Sequence, residues 1–365
     1  MKTKHALLFQ NACHLEPIAD GSIDLVVTSP PYPMISMWDD IFNGQNQAVY
    51  EALKNNDGNA AFELMHQLLD PVWKELYRVM KTGAIACINI GDAVRTIDGD
   101  FSLYQNHTRI MQSMLKIGFS SLPPIIWRKQ TNAPNKFMGS GMLPPGAYVT
   151  LEHEYILILR KGRKREFASS ELKKNRGESA FFWEERNLWF SDVWMDLKGA
   201  TQTLADKAAR DRSGAFPFEL PFRLINMFSV YGDTVLDPFL GLGTTIFAAM
   251  ASGRNSVGVE VNNAFKKDFS SKLNAITSIS NERIRRRLSD HLNFVNAREK
   301  DGKPIKHQNT PYGFPVITRQ EKELILHEVT KIKDKGKNIF EVEYAEEPGD
   351  PMAGYWGELF TSVNK

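Results

Sequence analysis

The amino-acid sequence predicts an α/β protein with a mostly parallel sheet and helices on both faces. Apolar, β-branched runs at residues 23–28, 84–90 and 155–159 alternate with helical patterns. A strand, glycine-rich turn, helix and strand then follow one another over residues 234–262. No internal repeat or low-complexity tract is present, which sets solenoids and propellers aside.

Taken in order, residues 23–28 read as a buried strand running into a stiff turn at Ser29-Pro30-Pro31-Tyr32. Residues 71–80 read as a helix with Val72, Leu76, Val79 and Met80 on one face, stopped at Lys81, Thr82 and Gly83. Residues 84–90 form the next strand. A helix over 103–117 ends at Gly118, and strands at 125–127 and 155–159 flank a loop, residues 130–150, too rich in Gly and Pro for a regular element. Residues 161–212 mix basic and aromatic side chains without a clear period. A helix over 217–227 precedes the glycine-rich segment, and the tail beyond about residue 275 is polar and charged, with helices but no evident chemistry.

A chain of 365 residues, 42% apolar, can bury a full core and has length for two domains. No apolar stretch approaches the roughly 18 residues that cross a bilayer, and Lys2, Lys4 and Leu7 to Phe9 are too brief for a secretory signal. A cytoplasmic location is therefore expected. Cys13 and Cys87 are the two cysteines, too few for a disulfide framework or a thiolate zinc site. The eight histidines are scattered without a ligand pair, so no catalytic metal is expected. A net charge of +2 decides nothing about nucleic acid. Basic residues do cluster, at 160–165 with 173–176 and at 283–287, and a solvated face is the simplest reading of either run alone.

In the segment 234–245, a buried strand ends in the carboxylate Asp237, Gly241 and Gly243 open the turn, and a helix begins near Thr244 and Thr245. The next strand ends at Glu260, placed to accept hydrogen bonds from ribose hydroxyls. A pyrophosphate cradle would carry a third glycine where Ile246 stands. S-adenosylmethionine has no phosphate but carries an ammonium and a sulfonium, so a carboxylate beside the turn suits it better than a dinucleotide. A turn that merely packs strand on helix is the plain alternative.

Pro31-Tyr32 after Pro30 also resembles a polyproline ligand for adaptor domains. Such ligands sit in polar tails, whereas this one follows a core strand, where sites are built. The chemistry suits an exocyclic amine, whose lone pair is delocalised into a heterocycle. Acceptors on its two hydrogens, the Ser29 hydroxyl and the Pro30 carbonyl, favour a pyramidal nitrogen and free the pair. Pro30 and Pro31 keep the backbone stiff, and Tyr32 offers an aromatic face to a base rotated out of a duplex.

Together these two motifs resemble the amino-methyltransferases of bacterial restriction and modification systems, in particular the permuted subgroup called the β class, in which the catalytic motif precedes the cofactor motif. Phe216-Pro217 with Glu219-Leu220-Pro221 and Arg223-Leu224-Ile225 resembles the helix before its cofactor strand. Residues 73–83, 125–129 and 152–161 are similar to its core segments. The resemblance covers most of residues 5–265.

It implies an S-adenosylmethionine-dependent methyltransferase fold, doubly wound on a mostly parallel seven-stranded sheet and circularly permuted. Residues 1–160 would be the catalytic half, 161–212 an inserted target-recognition region, 213–275 the cofactor half and 276–365 an extension of unknown role. It also implies cofactor binding by Asp237, Phe239, Gly241, Gly243, Thr244, Thr245 and Glu260, with Phe216 and Asn11 as further candidates, and catalysis by Ser29, Pro30, Pro31 and Tyr32. Cytosine-N4 members mostly carry Ser where adenine-N6 members carry Asp, so Ser29 points to cytosine.

Arg163, Lys164, Arg165, Lys173, Lys174 and Arg176 would bind the phosphates of double-stranded DNA. The loop 131–146 would close over it or fill the space left by the flipped base, and His107 and His153 would be structural or positional. A separately encoded restriction endonuclease is the expected partner, and the chain is expected to be a monomer or homodimer. Adenine-N6 methylation, a nicotinamide-dependent oxidoreductase and an adaptor ligand remain the rival readings. The last of these requires Tyr32 to be exposed.

Overall fold

A computed structural model describes residues 1–129, 138–199 and 216–349. In chain order the strands are β1 (Lys2–Phe9), β2 (Ile23–Thr28), β3 (Met80–Ile90), β4 (Ala93–Ile97), β5 (Asp100–Tyr104), β6 (Phe119–Arg128), β7 (Met138–Gly139) and β8 (Ala147–Tyr148). They continue with β9 (His153–Lys161), β10 (Val193–Trp194), β11 (Thr234–Asp237), β12 (Asn255–Glu260), β13 (His307–Gln308), β14 (Pro315–Val316), β15 (Val329–Asp334) and β16 (Ile339–Tyr344). One ten-stranded sheet has the order β10-β6-β9-β3-β2-β11-β12-β1-β16-β15. Its centre, β3-β2-β11-β12-β1, is parallel throughout, while β9 and β16 run against their neighbours.

Every residue of β2 is buried, because the sheet is covered on both sides. Ile23 and Val26 face a core with the helices Gly58–Val79 and Asn106–Ile117. Leu25 and Val27 face another with the helices Glu219–Phe228 and Thr244–Ala251. The chain leaves β2 outward to β3 and much later returns to lay β11 against its other side, pairing Val235 with Leu25 and Leu236 with Val26. Connections from β2 and β11 thus depart in opposite directions, the arrangement that opens a crevice at strand C-termini.

The strands that the sequence predicts are β6, β9, β3, β2, β11 and β12; β1 completes a set of seven, and the observed sheet adds β10, β15 and β16 at its edges. The last two come from the tail. β16 pairs antiparallel with β1, whose edge would otherwise stand open, and β15 pairs antiparallel with β16; together they bury Val329, Phe340, Val342 and Tyr344 against Ile246, Phe247 and Met250. Residues 276–349 are therefore built into the sheet and its covering layer.

Two boundaries also differ from expectation. The helix expected at 71–80 spans Gly58–Val79 with Pro71 inside it: the Asp57 carboxylate caps it at Ala60 N, and Ala61, Met65, Leu69, Val72 and Leu76 extend the buried stripe backward. That stripe outweighs the hydrogen bond Pro71 cannot donate. Lys81–Gly83, expected as a stop, belongs to β3. Gly83 sits at φ +89 where the pairing with β2 shifts, and a Cβ there would lie 2.7 Å from the Arg165 backbone nitrogen. The helix expected from 103 starts at Asn106, Leu103 and Tyr104 being paired in β5.

Candidate active site at the ends of β2 and β11

At the end of β2, Thr28 Oγ1 donates to Asp237 Oδ1 at 2.6 Å. Thr245 Oγ1 donates to Asp237 Oδ2 at 2.7 Å, and Phe239 N donates to Oδ1 at 3.1 Å. One buried carboxylate thereby ties the residue before Ser29 to the glycine-rich turn and to the first turn of the next helix. Asp237 has no cation among these partners, and burial, opposed by the three donors, pushes its pKa up to about 6. Glu260 accepts Gly241 N and Asn262 N, each at 2.8 Å, and burial raises its pKa also. Gly243, at φ +85, has Phe269 so close that a Cβ would lie 2.5 Å from its ring.

The turn after β2 is held as firmly. Asn106 Nδ2 donates to the carbonyls of Pro33 and Gly91, both at 3.0 Å, and its Oδ1 meets His66 Nε2 at the same distance. Met34 follows in a left-handed conformation, φ 65, and fully buried. Tyr32 is only 9% exposed. Its hydroxyl meets Ser29 Oγ at 3.0 Å, Glu154 Oε2 at 3.0 Å and Asn89 Nδ2 at 2.8 Å, and burial beside the Glu154 charge raises its pKa well above the ordinary phenol value. Glu154 is ion-paired through its other oxygen with Lys129, 2.9 Å away.

These two constructions face one cavity of about 450 Å³, within the range of small-molecule sites. It is lined by Ser29, Pro30, Pro31 and Tyr32 on one side and by Asp237, Phe239, Gly241, Thr244 and Glu260 on the other, with Asn11 and Phe216 contributing. A ligand that combines positive charge, hydrogen-bond donors and flat apolar surface fits these walls. Asp237 and Glu260 supply negative charge and spare lone pairs, while Phe239, Leu242, Val261 and Phe265 supply apolar surface.

Of the expected cofactor residues, Gly243 and Thr245 are not in the lining. Thr245 is fully buried and orients Asp237; Gly243 admits Phe269. A buried Tyr32 on a cavity wall is also incompatible with an adaptor ligand, which needs that ring in solvent.

The basic residues Arg163, Lys164, Arg165, Lys173, Lys174 and Arg176 are not brought to this cavity. Because β9 runs antiparallel, its start at His153 and Glu154 lies at the cavity end and its finish at Lys161 lies beside Phe119. That is roughly 25 Å away at about 3.3 Å per residue. Arg165 there pairs with Asp233 at 2.6 Å and reaches Asp24 at 3.8 Å, at the opposite ends of β11 and β2. Of the aromatic residues of 161–212, Phe182, Trp189 and Trp194 are buried while Phe190 is exposed, and the helix Trp183–Trp189 is pinned to the helix Ile276–Lys300 by Glu185–Arg287 and Glu184–His291. Residues 200–212 of that region, and 131–137 of the expected closing loop, lie outside the described residues. The described part of the loop forms the β7–β8 hairpin. His107, expected to be structural, pairs with Asp92 at 2.8 Å and stacks on Tyr155.

Sequence reasoning passed over Asn89, Lys129 and Glu154 as site residues. A signal existed for Asn89: an amide within an apolar strand must find partners once buried.

Residues 23–271 match the family model described as DNA methylase. The chain is 50% identical over 347 residues to the type II methyltransferase M.MthZI of Methanothermobacter thermautotrophicus, covering 95% of this chain and 96% of that one. It is 48% identical over 282 residues to the type II methyltransferase M.MjaI of Methanocaldococcus jannaschii, covering 74% and 91%. A solved structure from Thermus thermophilus, described as a DNA modification methylase complexed with S-adenosyl-L-methionine, is similar with a TM-score of 0.57 and 30% identity, covering 73% and 92%.

Proposed function

Because this chain belongs to the DNA methylase family and takes its methyl group from S-adenosylmethionine, we propose that it methylates the exocyclic N4 amino group of cytosine in duplex DNA, with the base rotated into the cavity. The observation that carries this reading is the shared cavity: Ser29, Pro30 and Tyr32 stand across it from Asp237, Gly241 and Glu260. A neutral hydroxyl at Ser29, in place of a carboxylate, favours cytosine over adenine.

When bound, the cofactor supplies an electrophilic methyl group on a sulfonium. Asp237 and Glu260 would hold it, Glu260 at the ribose hydroxyls and Asp237 by its charge and by fixing the turn through Phe239 N. On the opposite wall, Ser29 Oγ and the Pro30 carbonyl would accept the two amino hydrogens, which localises the nitrogen lone pair. Tyr32 would stack on the base. The proton leaves to solvent, since a protonated N-methylamine of this kind is strongly acidic.

DNA would approach the cavity end of the sheet, where the β7–β8 hairpin presents Met142, 83% exposed, and Leu143, 71% exposed. Side chains of this kind fill the gap left by an extruded base. The order of the two motifs is that of the β class. By analogy with the type II relatives, we assign the chain to a cytoplasmic modification system paired with an endonuclease.

Digesting methylated DNA to nucleosides tests the base. N4-methylcytosine is expected, and N6-methyladenine in its place would overturn the assignment while leaving the cavity's role intact.

A further inference from the structure

If Ser29 accepts an amino hydrogen, as the reading above requires, its own hydroxyl hydrogen must point elsewhere. A serine hydroxyl carries one hydrogen and two lone pairs and rotates to suit its neighbours. The Ser29 hydroxyl lies 3.0 Å from the Tyr32 hydroxyl. Tyr32 has a single hydrogen to give. Of its other two partners, the Glu154 carboxylate, ion-paired with Lys129, only accepts, and the Asn89 amide nitrogen only donates.

Donor counting leaves one arrangement. Tyr32 gives its hydrogen to Glu154, receives one from Asn89 Nδ2, and keeps one lone pair for the Ser29 O–H. Asn89 cannot turn about, because its amide oxygen would then face Glu154 Oε2, now 2.7 Å from its nitrogen. Asn89 is 2% exposed and Tyr32 9%, so the groups that set this pattern are protein groups rather than bulk solvent.

We propose that Glu154 and Asn89 are positioning residues that act through the Tyr32 hydroxyl to hold the Ser29 hydrogen away from the cavity, making Ser29 an obligate acceptor. The lock selects for an amino group. A base presenting a carbonyl oxygen at the same edge sets two acceptors against each other and is refused.

A double-mutant cycle on unmethylated genomic DNA tests this, with turnover, the KM for DNA and calorimetric cofactor affinity as readouts. Tyr32→Phe keeps the ring and removes only the hydroxyl, so kcat falls about ten-fold while cofactor affinity stays within about two-fold. In a Ser29→Ala background the same change alters kcat by less than about two-fold, because the group through which it acts is gone. Glu154→Met, which removes the acceptor of the Tyr32 hydrogen, repeats the pattern by a second route, with its thermal midpoint measured to exclude unfolding. Equal losses in both backgrounds, or none in the single variant, overturn the lock. A Ser29→Ala enzyme of full activity overturns the role of Ser29 itself, and the two failures are thus distinct.

Discussion

Charged side chains gather at both ends of the central sheet, with opposite outcomes. At the N-terminal ends of β2 and β11, Asp24 and Asp233 are met by cations: Lys81 lies 2.7 Å from Asp24 and Arg165 lies 2.6 Å from Asp233. At the C-terminal ends of β11 and β12, Asp237 and Glu260 are met only by neutral donors. The first set is satisfied by the chain itself. The second is buried with hydrogen-bond donors but without a cation, its pKa values are raised, and a cavity lies in front of it. Carboxylates left without cations beside a cavity mark a place for a cationic ligand, and the sulfonium cofactor meets that need.

The sharpest way to break this contrast is at the catalytic wall. Ser29→Ala should lower kcat by about 100-fold or more while calorimetric cofactor affinity changes less than about two-fold. Equal loss of both would merge the two walls into one function. Next in size, Asp237→Ala should weaken cofactor binding by about ten-fold or more and lower stability by about 1–3 kcal/mol, because Thr28, Thr245 and Phe239 N lose their buried acceptor. Calorimetry and thermal unfolding together report this.

A smaller effect should appear with pH. Asp237 titrates near 6 when folded against an ordinary value of 3.8. Between those values the folded chain binds the extra proton, so this group's contribution to stability is fully present below about pH 4 and is lost as pH rises through 6. Cofactor affinity runs the other way, weakening as pH falls below about 6 and the charge facing the sulfonium is neutralised. Asp237→Asn should flatten both profiles, and an unchanged slope would contradict the assignment.

At the far end the effects should be smallest. Arg165→Ala should lower stability by about 1 kcal/mol with kcat unchanged, as befits a partly exposed ion pair. Neutralising Arg163, Lys164, Lys173, Lys174 and Arg176 together should change DNA affinity less than about two-fold in gel-shift titrations. A loss that grows with each charge removed would extend the DNA-binding surface around the molecule.

Much of the site was legible because its parts are local. The β2 run with its proline turn, and β11 with Asp237, Gly241 and Glu260, declare themselves by residue type and short spacing. Positions 81–83 and Pro71 misled because a glycine bulge and a capped, longer apolar stripe override local stop signals. Glu154 and Lys129 carried no local signal, since neither differs in sequence from any exposed ion pair.

What the sequence determined unaided is the pair of motifs, their order and the chemistry each suits, because these follow from backbone stiffness, glycine freedom and functional groups within a few residues. Tertiary structure alone decided which end of the sheet each later segment occupies. The reversed direction of β9 brings Glu154 to Tyr32 and carries the basic run after Lys161 to the opposite end of the sheet. Strand direction arises from pairing across the whole sheet, and no window of residues contains it.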